Sequence, residues 1–135
     1  MAEETRQFQV EIICPDRVFY TGTATMLELT TVDGEIGILR GHIPVTTILA
    51  PGVVTITDEE KVTEVVVHSG FIEILQDKVS ILAEVAEWPH EIDLGRAQAA
   101  KERAEQRLSN RDENLDVMRA ELALRRAIAR ISAKS

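Results

Sequence analysis

Near Pro89 the chain changes period, and no single kind of element can carry both periods. From Phe8 to Val85 apolar side chains recur at every second residue in short runs: Phe8, Val10 and Ile12; Val54 and Ile56; Ile72 and Ile74; Val79 and Ile81. Such alternation marks strands with one buried face. From Leu94 to Leu108, LGRAQAAKERAEQRL, there is no β-branched residue, and alanine, arginine and glutamate dominate. That composition favours a helix. The chain is therefore expected to divide into a β domain, residues 1–90, and a helical domain, residues 91–135.

Turn-forming residues interrupt the β part at Pro15-Asp16, Gly22, Asp33-Gly34, Gly37, Gly41, Pro44, Pro51-Gly52, Asp58-Glu59, Gly70 and Asp77-Lys78. Their spacing predicts an antiparallel sandwich or barrel of about eight to ten strands rather than parallel βαβ units. In the helical part, Asp93 is placed to cap a helix starting at Leu94, with Ala97, Ala100 or Lys101, Ala104 and Leu108 as its narrow packing stripe. The polar break Ser109 to Asn114 offers Asp112 or Asn114 as cap for a second helix. That helix would pack through Leu115, Met118, Leu122 and Ala129, with Ala120, Leu124, Ala127 and Ile131 beside them. The two helices form a hairpin. With alanine at so many contact positions it buries little area, so it should dock weakly and depend on a partner.

Charge follows the same division. Residues 1–92 hold 5 Lys or Arg against 16 Asp or Glu, and residues 93–135 hold 10 against 7, within a net charge of −8. An acidic whole disfavours nucleic acid, whereas a basic tail on an acidic body suits an acidic protein surface or a phosphate ligand. The only cysteine, Cys14, cannot form an internal disulfide, and an intracellular setting is expected. No apolar run reaches the roughly 20 residues that a membrane-spanning helix needs, so contact with a membrane would go through a partner.

Enzyme signatures are weak. The run Asp33 to His42 has three glycines but no Gly-Lys-Ser/Thr ending, so it reads as a turn system rather than a phosphate cradle. His42, His68 and His90 have no metal-ligand spacing. Ser69 beside His68 lacks a nucleophile elbow, and adjacent strand residues point to opposite faces. Cys14, in an apolar strand, reads as a small buried hydrophobe. The tail arginines stand out. Arg96, Arg103 and Arg107 share one side of the first helix, and Arg126 and Arg130 are an i,i+4 pair on the second. Convergence of the two sets would suit a nucleotide, since guanidinium forks grip phosphate and stack on a purine. A solvated charged face is the plainer alternative.

Six segments in order resemble the ε subunit of bacterial F-type ATP synthases: DGEIGILRGHIP (Asp33 to Pro44), LAPGVVTI (Leu49 to Ile56), SGFIEI (Ser69 to Ile74), VSILAEVAE (Val79 to Glu87), IDLGRA (Ile92 to Ala97) and RAELALRRAIAR (Arg119 to Arg130). The resemblance implies a ten-stranded antiparallel β-sandwich followed by a two-helix hairpin. It implies a non-catalytic rotor subunit in the central stalk, peripheral on the cytoplasmic side of the cell membrane, in an enzyme coupled to protons or sodium ions. The implied partners are the γ subunit, the c-subunit ring, reached through Glu35 and His42, and the catalytic α and β subunits, which an extended hairpin blocks. IDLGRA further implies an ATP site of Glu87, Ile92, Asp93, Arg96, Ala97, Arg103, Arg126 and Arg130. The ATP there, alone or with Mg²⁺, is a regulatory ligand and no cofactor is required. Two features depart from the family pattern: Arg40 stands where proline is common, and His68-Ser69 replaces Ser-Gly. Trp88 would anchor the linker to the sandwich.

Overall fold

The computed structural model describes residues 6–110 and 114–134. Eight strands come first: β1 (Phe8–Cys14), β2 (Arg17–Ala24), β3 (Met26–Thr31), β4 (Gly34–Ile38), β5 (Val45–Leu49), β6 (Gly52–Asp58), β7 (Lys61–Ile74) and β8 (Lys78–Glu87). A single 3₁₀ turn, Pro89–Glu91, leads to helices α1 (Leu94–Ser109) and α2 (Val117–Lys134). The strands run in the order β2-β1-β8-β7-β5-β3-β4, with β6 pairing β3 and β7. Folded on itself, this sheet makes a sandwich whose core draws on every strand, from Val10 and Ile12 of β1 through Leu27, Ile38, Leu49 and Val54 to Ile72 and Ile81.

Among the described residues eight strands stand in place of the ten that the resemblance implied. β7 runs on through a bend where a turn was expected. Gly70, read as turn punctuation, is inside β7, as Gly22 is inside β2 and Gly37 inside β4. At the bend Ser69 has φ 52° and Gly70 φ 141°. This bulge is matched in β8, so the register of the two strands is kept while the inward-facing set of β7 moves by one residue, and Val65 and Val67 before it and Ile72 and Ile74 after it all face the core. The partner strand switches in step, with Ala83 and then Ala86 inward. A β-carbon at position 70 would run into the Leu82 carbonyl, so only glycine fits.

The sandwich is also not purely antiparallel. β1 and β8 pair in parallel, from Gln9 opposite Lys78 to Ile13 opposite Leu82. Period-two patterning fixes which face of a strand is buried and says nothing about the direction of a neighbour far away in sequence.

The helices pack as a hairpin. Asp93 accepts the Arg96 amide at 3.1 Å and caps α1 as expected. The cap of α2 is Asp116, which accepts the Arg119 amide at 3.0 Å, so Leu115 and Asn114 precede the helix; Asp112 lies outside the described residues. α1 packs chiefly on α2. Its buried Ala97 and Ala104 are seven residues apart, as are Ala120 and Ala127 of α2, giving a close alanine seam. Met118, expected in the packing stripe, is 82% exposed because the buried positions of α2 follow these alanines and Ala129 instead.

Gly70→Ala should cost at least about 3 kcal/mol, the scale of a strained backbone combined with a clash in a packed sheet. Urea unfolding checks this: the midpoint should fall sharply in the variant, and an unchanged midpoint would mean that the bend tolerates a side chain.

Candidate functional site

The bulge in β7 gives the outward face of its first half to the hairpin. Val66 joins Ile92 and Ala129 in a small buried cluster flanked by Val53 and Ala133. This is the apolar foothold of α2 on the sandwich. Around it α2 carries cations at four-residue intervals, Arg126, Arg130 and Lys134, which share one side of the helix. Each reaches a different part of the body. Arg126 Nη2 donates to Ser69 Oγ at 3.2 Å, Arg130 Nε to Glu87 Oε1 at 2.8 Å, and Lys134 Nζ to the Pro89 carbonyl at 3.3 Å.

Glu87 is the hub. The same Oε1 also accepts His68 Nε2 at 2.8 Å, which places the imidazole proton on Nε2 and leaves Nδ1 buried with no partner. Burial pushes the pKa of His68 down, its hydrogen bond to Glu87 pulls the other way, and the positive charges of Arg130 and Arg126 add to the depression. Burial raises the pKa of Glu87, but the hydrogen bonds from Arg130 and His68 outweigh it and hold the carboxyl below its ordinary value. The site therefore contains a neutral histidine, a carboxylate and two guanidinium groups. His68 and Ser69, expected on opposite faces, both meet α2 because the positive φ of Ser69 breaks the alternation between them.

Beside this hub, between the 3₁₀ turn, α1 and α2, lies a cavity of about 340 Å³, within the range of small-molecule sites. Seven of the eight residues expected at a nucleotide site line it: Glu87, Ile92, Asp93, Arg96, Ala97, Arg103 and Arg130, joined by Glu91 and Ala100. Asp93 sits there while capping α1. Arg96 and Arg103, seven residues apart and exposed, stand two turns from each other along α1. Ala97 and Ala100 contribute only methyl groups to the lining. Arg126 is not part of the cavity, since its guanidinium turns to Ser69 and its Nε is buried without a partner. Trp88 stacks on Phe19, ring centroids 4.7 Å apart, and anchors the linker to the sandwich as expected. Cys14 is buried, and burial raises its thiol pKa.

The two residues assigned to the c ring lie in different settings. Glu35 of β4 lines a groove of about 690 Å³ between the sandwich and the Arg125 and Ile128 side of α2. His42 lies in the loop after β4 and is half-buried, its Nδ1 at 2.8 Å from the Ile43 carbonyl. The sequence did not bring forward Lys134 or Glu91, and it weighed His68 and Ser69 only as metal-binding or catalytic residues and set them aside. The departure of His68-Ser69 from Ser-Gly was the one available signal.

Two family models match end to end. Residues 7–89 match the ATP synthase, Delta/Epsilon chain, beta-sandwich domain, and residues 90–135 the ATP synthase, Delta/Epsilon chain, long alpha-helix domain. The chain is similar to the ATP synthase epsilon chain of Shouchella clausii, 50% identical over 91% of each chain. It is also similar to that of Ruminiclostridium cellulolyticum, 44% identical over 93% of this chain and 94% of the other. Among solved structures, a chain in the cryo-EM structure of Euglena gracilis mitochondrial ATP synthase, OSCP/F1/c-ring, superposes with a TM-score of 0.85 at 25% identity, covering 96% of this chain and 82% of that one. A chain of the Tetrahymena thermophila central stalk/c-ring structure shares the fold at a TM-score of 0.62 and 13% identity, over 95% of this chain and 96% of the other.

Replacing Arg130 by glutamine removes the principal group that lowers the Glu87 pKa. The Glu87 titration, followed by carboxyl ¹³C shifts, should move upward in the variant. The support that ionised Glu87 gives to docking is complete above the ordinary carboxylate value of about 4.3 and is lost as pH falls through the lower docked value. An unmoved titration would show that Arg130 does not hold the carboxylate in solution.

Proposed function

The chain belongs to the delta/epsilon family of ATP synthase subunits, non-catalytic parts of the complex, and from that premise we propose that it is a rotor subunit whose hairpin works as a nucleotide-sensing brake. The cavity between the two helices carries the reading, because it joins arginines of both helices to a carboxylate of the sandwich. ATP bound there would touch the 3₁₀ turn, α1 and α2 together, and would stabilise only the docked arrangement. Its adenosine would lie toward Glu87, Ile92, Asp93 and Ala97, and its phosphates toward Arg96, Arg103 and Arg130. A ligand shifts such an equilibrium only by its difference in affinity for the two states. At 100 times its dissociation constant, ATP would add about 2.7 kcal/mol to docking. The apolar foothold is small, so a contribution of that size matters. When ATP falls, the released helices carry their arginines to acidic surfaces of the α and β subunits and stop hydrolysis.

The sandwich supplies the fixed contacts. Ile13, Leu82, Phe71 and Ile48 lie side by side across β1, β8, β7 and β5 on the outward face, with Ile48 60% exposed, and this apolar row suits the γ subunit. At one end of the sandwich the Gly41 amide donates to the Gln76 carbonyl at 2.9 Å, joining the loop that exposes Leu39 and Ile43 beside the half-buried His42 to the turn that exposes Leu75. That apolar end suits the c ring, with His42 at its edge. Among the described residues no helix is long and apolar enough to cross a membrane, and attachment to the membrane runs through the complex.

A second reading is favoured by one observation: Arg126 and Arg130, both expected to hold nucleotide, already hold the sandwich. On that account the hairpin blocks the catalytic head mechanically and ATP has no direct part. Titration of ATP, with and without Mg²⁺, into the isolated protein separates the two. Side-chain Nε–H resonances of Arg96 and Arg103 should shift by millimolar ATP, and Asp93→Ala combined with Arg96→Ala should abolish the shift. Unaltered spectra would leave the mechanical brake alone.

A further inference from the structure

His68 is 1% exposed and lies directly beneath α2. The charged groups that act on it come from two elements, Glu87 of β8 and Arg126 with Arg130 of α2. With the imidazole neutral, this cluster carries one net positive charge. A proton on His68 would raise that to two inside a buried seam, with Arg126 Nε and the new Nδ1–H both lacking a partner. Glu87 offsets part of the change, but its oxygen facing His68 is shared with Arg130 at 2.8 Å, so one carboxylate would face three positive groups. Like charges in a desolvated site repel strongly, and an unpaired buried donor is costly. Relief comes by moving α2, which removes both arginines and readmits water to the imidazole.

We propose that His68 is a proton-sensitive latch, and that protonating its imidazole loosens α2 from the sandwich. The latch rests on the release of the hairpin put forward above but is independent of any nucleotide. In the released state His68 titrates near its ordinary value of about 6.5. Docking resists that proton, so it is at full strength above this pH and weakens as pH falls through it, by up to tenfold per pH unit. The window lies above the carboxylate range, which separates the contribution of His68 from that of Glu87. Acidification would thus favour the released, braking state even while nucleotide is plentiful.

The test uses the whole chain, with NMR between pH 8 and pH 5. Two quantities are followed: the ring-carbon titration of His68, and the exchange protection of the Ala127 and Ala129 amides, corrected for intrinsic exchange, with Ile72 and Ile81 marking the core. The protection of α2 should fall as much as tenfold per pH unit below about 6.5, and the ring titration of the docked protein should lie at lower pH than the onset of that fall. His68→Ser should flatten that dependence. If α2 is protected as strongly as the core at every pH, the hairpin is fixed, and the release reading fails together with the latch. If α2 opens readily but with the same pH profile in wild type and His68→Ser, the latch alone fails. Should the variant not fold, the wild-type data decide, because α2 protection that stays level between about pH 6.5 and the midpoint of the ring titration overturns the proposal.

Discussion

One oxygen atom, Oε1 of Glu87, holds the two halves of this molecule in register. It accepts a hydrogen bond from His68 of β7 and another from Arg130 of α2, each at 2.8 Å, so this carboxylate ties the hairpin to the sheet beside the Arg126–Ser69 bond and the Val66 foothold. Glu87 is the last residue of β8 and also lines the cavity between the helices. A change in its charge, or in what it binds, is felt by the docked helix at once. Partial burial makes that coupling strong, since charge-assisted hydrogen bonds gain when water is kept away.

The bulge at Ser69 and Gly70 makes this arrangement possible. On one side of it the outward face of β7 presents Val66 and His68 to α2; on the other the outward residue is Phe71, in an uncovered apolar row with Ile48 and Leu82. A regular strand of that length would have kept one set of residues on one face. The change of facing set lets a continuous ribbon support the hairpin at one end and present an uncovered apolar row at the other, with the same core beneath both.

The change of period at Pro89, the Asp93 cap, the spacing of the arginines and the anchoring of Trp88 were legible in the sequence because each depends on local geometry. The bend in β7 was not, since Gly70 marks a turn and a bulge equally well. Nor was the parallel pairing of β1 with β8, which joins segments about seventy residues apart. Asp116 was passed over as a cap because the polar break offers several cap-forming residues that differ only in how the backbone enters the helix. Seven residues of the expected nucleotide site share a cavity, whereas the place of Arg126 was hidden, because helical spacing fixes the side of α2 it occupies but not which neighbour competes for it. His68 looked like one more scattered histidine until the bulge placed it under two arginines.

The alanine seam carries a mechanical implication. α2 is moored to the sandwich, while α1, the helix that leaves the sandwich first along the chain, leans chiefly on α2. The order of attachment therefore runs opposite to the order of the polypeptide. Loss of the α2 mooring would leave α1 with little to lean on, whereas loss of the α1 contacts would leave α2 still fastened to the sandwich.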